Sequence, residues 1–178
     1  MKIDKKLNLC FEGDDFHVHA TPFSRAAFEQ NYLLLSQAFS VMIESGTQVT
    51  AGARIAALVI KDIARREGKD DAYSAIMAEI RRTTTIIKRD PDKGFVPMPM
   101  STAISRGALD EEDISYIEGI VTFFILTSAL WRGAKLDASL GLMTGLWDAQ
   151  TTSLNSTDFT ASLTASTKEE TIGETAAE

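Results

Sequence analysis

From Ile114 to Trp131 the chain is apolar on nearly every side of a helical wheel, and its only charge is Glu118. A helix that is hydrophobic all round has no solvent face to spare, so it belongs at the centre of a fold. Its most apolar part, Ile120–Trp131, is about twelve residues and includes Thr122, Thr127 and Ser128. A membrane span needs roughly 20 apolar residues, so the segment predicts a core helix. Asp110-Glu111-Glu112-Asp113 loads its start with carboxylates, the favourable end for negative charge, and Gly133 closes it. The other elements have to wrap this helix, and 178 residues suffice for one such core.

The N-terminus predicts a β-hairpin. Leu7, Leu9 and Phe11 alternate with Lys6, Asn8 and Cys10, and Phe16 and Val18 alternate with His17 and His19. Gly13-Asp14 between them suits a type II′ turn, whose first central residue needs positive φ. That register pairs Phe11 with Phe16, Leu9 with Val18 and Leu7 with Ala20, with the apolar side chains on one face. Ser24 caps a helix with Phe28, Tyr32, Leu35, Phe39 and Met42 on its apolar stripe, ending before Gly46. A second helix, Thr50–Glu67, carries Ile55, Leu58, Val59 and Ile63, with Gly68 as its stop. Asp70 or Asp71 caps a third with Tyr73, Ile76, Ile80 and Ile87, weakened by the β-branched run Thr83-Thr84-Thr85-Ile86-Ile87.

Residues Asp90–Gly107 predict an irregular segment, because Pro91, Pro97 and Pro99 exclude a helix. A short last helix, Asp137–Trp147, holds Gly141 and Gly145, a spacing that suits close helix approach. Gln150–Glu178 contains eight Thr, four Ser and five carboxylates against one Lys, with no apolar period, and predicts a flexible tail. The expected fold is mainly α. A β-hairpin (1–22) packs on a bundle of about five helices (23–149) as one domain, and the tail follows (150–178).

Eighteen basic and 25 acidic residues leave a net charge of −7, of which the tail holds −4. A mildly acidic body argues against nucleic-acid binding. Cys10 is the single cysteine, which excludes an internal disulfide and fits a reducing compartment. Residues 1–20 have no continuous apolar stretch of the kind a secretory signal needs. The expectation is a soluble cytoplasmic protein, with no membrane association.

Three groups of side chains invite a functional reading. The hairpin register puts Cys10, His17 and His19 together on the outer face, a thiolate and two imidazoles of the type that bind zinc or copper. The polar, solvent-facing side of a hairpin accounts for them more simply, and it is preferred. Arg81 and Arg82, with Lys88 and Arg89, form a basic cluster suited to a phosphate or an acidic partner, or simply to the dipole at a helix end. Phe95, Val96, Met98 and Met100 make an apolar, proline-stiffened segment, and exposed methionine-rich surface adapts to varied partners. It leads as a partner-binding surface. Glu118, within the apolar helix, is expected to pair with an arginine or to lie near a surface seam.

The chain has no Gly-rich phosphate loop, GxSxG elbow, HExxH or CxxC motif, and its two histidines share one predicted strand. A non-enzymatic role, with no catalytic residues and no cofactor, is the expectation. The strand pair followed by "ATPFSRAAFEQNYLL", and the late "ALWRGAKLDASLGLMTGLW" running into "TTSLNSTDFTASLTASTKEETIGETAAE", resemble the tail assembly chaperones of long-tailed (siphophage-type) bacteriophages. The resemblance implies a compact domain that binds the tape measure protein in the host cell cytoplasm. A frameshifted longer product would recruit tail tube protein, and no catalytic residue carries over. A virion structural subunit, a helical adaptor and a metal-binding protein remain as alternatives, and self-association stays open.

Overall fold

The computed structural model describes residues 7–44 and 52–175, with side chains over 7–42, 44 and 55–165. The expected helix stop at Gly46 and start at Thr50, the hairpin's Lys6 and the last three tail residues lie outside the described residues. Strands β1 (Asn8–Glu12) and β2 (Phe16–Ala20) are followed by helices α1 (Arg25–Gln30), α2 (Tyr32–Glu44), α3 (Gly52–Arg66) and α4 (Asp70–Thr83). Then come β3 (Thr84–Asp90), β4 (Gly94–Pro99), α5 (Met100–Ser105), α6 (Glu111–Leu130), α7 (Ala134–Trp147), β5 (Gln150–Thr152) and α8 (Ser156–Thr175). The fold is mainly helical, but the expected two-stranded hairpin is the middle of an antiparallel five-stranded sheet ordered β4-β3-β2-β1-β5.

The core helix is where the apolar pattern puts it. Every residue of α6 from Ile117 to Ala129 is buried. Asp110 accepts from the Asp113 backbone N–H at 2.8 Å, and Asp113 reciprocates to the Asp110 N–H at 3.3 Å, closing a capping box. By length and composition alone α6 could cross a membrane, yet 72% of that window is packed inside the fold. Its most extensive neighbour is α3. That helix turns Ala56, Ile60 and Ala64 inward, and the small alanines let the two backbones approach closely. Ala56–Ile60–Ala64 is therefore the buried stripe, and Leu58, expected inside, is 57% exposed.

The hairpin register differs from expectation by two residues. Leu9 pairs with Ala20, Cys10 with His19, Phe11 with Val18 and Glu12 with His17. The loop is wider than a two-residue turn: the Gly13 N–H donates to the Phe16 carbonyl at 2.8 Å, and Gly13 does not adopt positive φ. A shift of two preserves which side chains share a face, so Leu9, Phe11, Phe16, Val18 and Ala20 still point into the core. The Phe16 ring folds directly over Gly13, leaving no space for a Cβ. Gly13→Ala should therefore cost roughly 1–3 kcal/mol through overpacking of that ring, read as a lower urea midpoint. An unchanged midpoint would mean the ring swings away freely.

The β-branched run does more than weaken the third helix; it ends it. Thr83 Oγ1 donates to Glu79 O at 2.9 Å and Thr84 Oγ1 to Ile80 O at 2.7 Å, closing α4 with side-chain bonds. The chain then enters β3, where Thr84, Thr85, Ile86 and Ile87 suit a pleated surface. Asp90 Oδ1 accepts from the backbone of Asp92 and Lys93, both at 3.0 Å, and Gly94 at φ 73° completes the turn into β4. The proline-rich segment is thus not irregular. Pro97 faces Ile87 and Pro99 faces Thr85, two residues apart on the outermost strand. Both missing N–H groups fall on the unpaired edge, where a strand tolerates proline.

Two further expectations change. The first helix is broken at Asn31 into α1 and α2. Asn31 Nδ2 donates back to Ala27 O at 2.9 Å and spends the side chain on closing α1. Gly141 and Gly145 on α7 allow no close approach, because a Cβ at either would meet only open space.

Candidate functional site

The strand pairing brings Cys10, Glu12, His17, His19, Ile87 and Phe95 to one face of the sheet, opposite the helical core. That face is covered. Residues 150–165, expected in a flexible tail, instead supply β5 along β1 and the first turns of α8 across the sheet. Phe159 lies against His19 with ring centroids 5.8 Å apart, and Thr160 is buried. An edge left open by β1 supplied the partner that the sequence's own lack of apolar period did not suggest.

Under this cover the Cys10/His17/His19 group is not a metal centre open to solvent. Cys10 is buried, and burial pushes its thiol up to about 12, so it stays protonated at neutral pH when a metal would need the thiolate. His19 Nε2 lies 3.0 Å from the Leu154 carbonyl, and His17 Nδ1 lies 3.2 Å from Glu12 Oε1 with its ring edge-on to Phe95. Among the described residues no three His, Cys, Asp or Glu side chains are grouped to hold a metal ion.

The basic residues are dispersed rather than clustered. Arg81 Nε meets Glu118 Oε1 at 2.7 Å, the pairing expected for the one carboxylate inside α6. Arg82 grips Glu79 through two bonds of 2.6 and 2.7 Å. Lys88 Nζ reaches Asp15 Oδ2 at 2.8 Å and Ala108 O at 2.9 Å, while Arg89 is exposed. Each of the three bonded cations is matched to a nearby carboxylate, so they do not converge on a shared anion.

The Phe95–Met100 segment is a strand and a helix start, not an exposed loop. Met100 is fully buried and Met98 packs on the core. Phe95 and Val96 are half-buried on opposite faces of β4. The hairpin edge is no docking edge either, since β1 and β2 lie inside the sheet.

Apolar surface is exposed elsewhere. Tyr32, Leu33 and Val41 of α2 are 54, 59 and 42% exposed. Leu33, Gln37 and Val41 recur at i, i+4 and i+8 and so share one stripe. Between that stripe and α3 runs a groove of about 440 Å³, with Val41 and Ile63 on its walls and Ser36, Gln37 and Ser40 along α2. Gln37 Nε2 donates to Glu67 Oε1 at 2.7 Å, and Glu67 also accepts from Lys69 at 2.5 Å. Bonds from Lys69 and then Gln37 hold the Glu67 carboxyl below its ordinary value. Ser36 Oγ and Gln37 Oε1 are buried yet have no hydrogen-bond partner among the described residues. Leaving such atoms unmet costs the fold energy. The signal was present in the sequence: Leu33, Leu34 and Leu35 are consecutive, and a helix cannot bury three successive positions on one face. Leu34 and Leu35 go in, and Leu33 is left outside.

A recess of about 790 Å³ lies where β2, α1 and the start of α8 meet, and Arg25, Arg82, His19 and Asp158 line it. Arg25 is bound to Glu29 at 2.7 Å and Arg82 to Glu79, so its cations are already neutralised and Asp158 adds negative charge. It therefore has no charge preference for an anion. Comparison with protein-family models, with curated proteins and with solved structures finds no match to this chain.

Proposed function

We propose that the chain is a non-enzymatic assembly protein that acts by apolar contact with a helical partner through the α2–α3 groove. In the terms of the family it resembles, it is a tail assembly chaperone. Its partner is the tape measure protein, its site of action the host cytoplasm, and its product a tail tube. The observation that carries this reading is the apolar surface beside α3: exposed Leu33 and Val41 on one stripe of α2, with Val41 and Ile63 on the walls of the groove. A helix laid there buries its own apolar face against that stripe. A tape measure protein, long and helical with apolar surface open before assembly, is a partner of that chemistry.

The test is co-expression with the tape measure protein of the same genome, with the soluble fraction of that partner as readout. The wild-type chain should keep it soluble. Leu33→Ser combined with Val41→Ser should lose this effect while melting stays nearly unchanged, because exposed substitutions of this kind shift stability by about 0.5 kcal/mol or less. If the wild type gives no solubilisation, the chaperone reading fails. If the double variant works as well as the wild type, the groove is the wrong surface. Recovery of the chain in purified particles would favour a virion structural subunit.

A further inference from the structure

We propose that Pro97 and Pro99 lock the outer edge of β4 against strand addition, and so keep two copies of this chain from joining sheet to sheet. This inference does not rest on the α2–α3 groove.

The sheet order leaves β4 on one outer edge and β5 on the other. An unpaired edge presents a row of N–H and C=O groups that template pairing with another chain. Folds blunt such an edge by brevity, charge, a bulge, proline or a cover. Strand β5 is protected by brevity, with three residues. Strand β4 has six, Gly94–Pro99, and none of them is charged. Its register against β3 runs from Asp90↔Gly94 to Thr85↔Pro99 without a skipped residue, so it has no bulge. Helix α8 lies against β4, yet among the described residues no backbone hydrogen bond reaches the strand from its outer side. Of these devices, proline is the one β4 carries.

The prolines stand where they matter. In an antiparallel pair, alternate residues bond to the neighbouring strand and the others turn their N–H and C=O away from it. Pro97 and Pro99 have no N–H to give β3, so the bonded positions are Gly94, Val96 and Met98, opposite Asp90, Lys88 and Ile86. The outward positions are Phe95, Pro97 and Pro99, and two of those three lack a donor. An incoming strand would find one N–H, that of Phe95, to accept from. Both proline side chains are exposed and contribute little packing. Phe95, Val96 and Met98 are half-buried, and aromatic and β-branched residues suit a sheet, so with its donors restored β4 would be a pairing strand. The partner shut out is a second copy, since a two-fold pairing of β4 with β4 uses the same groups on both sides.

Pro97→Thr with Pro99→Thr restores both donors. The full-length wild type and variant are compared by sedimentation velocity over a concentration series. Circular dichroism checks folding, and amide hydrogen exchange of the β4 peptide shows where copies meet. The variant should self-associate about tenfold or more tightly than the wild type, because up to four restored hydrogen bonds join each pair. Exchange in β4 should slow as it does. Pro97→Thr alone, which restores one donor, should change both readouts less and in the same direction, and it decides the matter if the double variant does not fold. Two results would overturn the proposal. One is a folded variant that sediments like the wild type at every concentration. The other is association that leaves exchange in β4 unchanged, since the copies then meet elsewhere.

Discussion

Phe124→Ala is expected to lower the unfolding free energy by about 3–5 kcal/mol, the range for truncating a fully buried aromatic without relaxation around the gap. The side chain has no exposed surface and lies midway along α6, in a stretch where thirteen consecutive residues are buried. Two features keep the surroundings from closing over a cavity. The α3 helix already sits close on Ala56, Ile60 and Ala64, so its backbone has little room left to advance. The sheet on the other side is held by pairings across all five strands. With total stability for a domain usually about 5–15 kcal/mol, the variant should be marginal or unfolded at body temperature. Urea titration should show a lower midpoint with an unchanged slope. A loss under about 1 kcal/mol would place that face of α6 outside the core, and the helix would then read as a partner-binding surface.

The reason α6 is legible in sequence is that all its information is local: an apolar run, carboxylates at its start and one inward charge. Glu118 needs a cation, and Arg81 provides it at 2.7 Å. The sheet is not legible in the same way. Thr84–Ile87 reads as a poor helix end because the strand that rewards its β-branched side chains, β2, lies more than sixty residues earlier. Pro97 and Pro99 exclude a helix, and only their spacing of two hints at a strand whose N–H groups point alternately away from the sheet. The segment 150–165 is illegible for a related reason. Its threonines and serines bury little of their own, and its order comes from an edge offered by β1, 140 or more residues away. Phe159 and Leu163, four apart, are the single local sign that one face of α8 has something to pack on. Of the candidate site, the Leu33-Leu34-Leu35 triplet was readable. The groove beside it depends on how α2 meets α3, which no local pattern encodes.

Replacing Met100 by Ser should be nearly as damaging as the change in α6, whereas Phe95→Ser should be mild. The contrast separates a core segment from a docking surface. Met100 starts α5 with no exposed surface, so losing its side chain costs about 2–5 kcal/mol in transfer and cavity terms. The serine hydroxyl adds roughly 1–3 kcal/mol more if it is buried without a partner. Phe95 is half-buried on the other face of the sheet, edge-on to His17 at 5.3 Å, and can shed part of its ring area to water at little cost. Its loss should stay near 1 kcal/mol, the common size for a partly exposed site. The triple change of Phe95, Met98 and Met100 to Ser should then unfold the protein outright, because Met98 also packs on the core. Circular dichroism and urea midpoints of the two single variants and the triple would decide it. A folded triple variant that had lost only partner binding would return the interface to β4. The expected collapse would leave the apolar side chains that are exposed, Leu33 and Val41 of α2, Leu58 of α3 and Leu142 and Leu146 of α7, as the surfaces to test for partner contact.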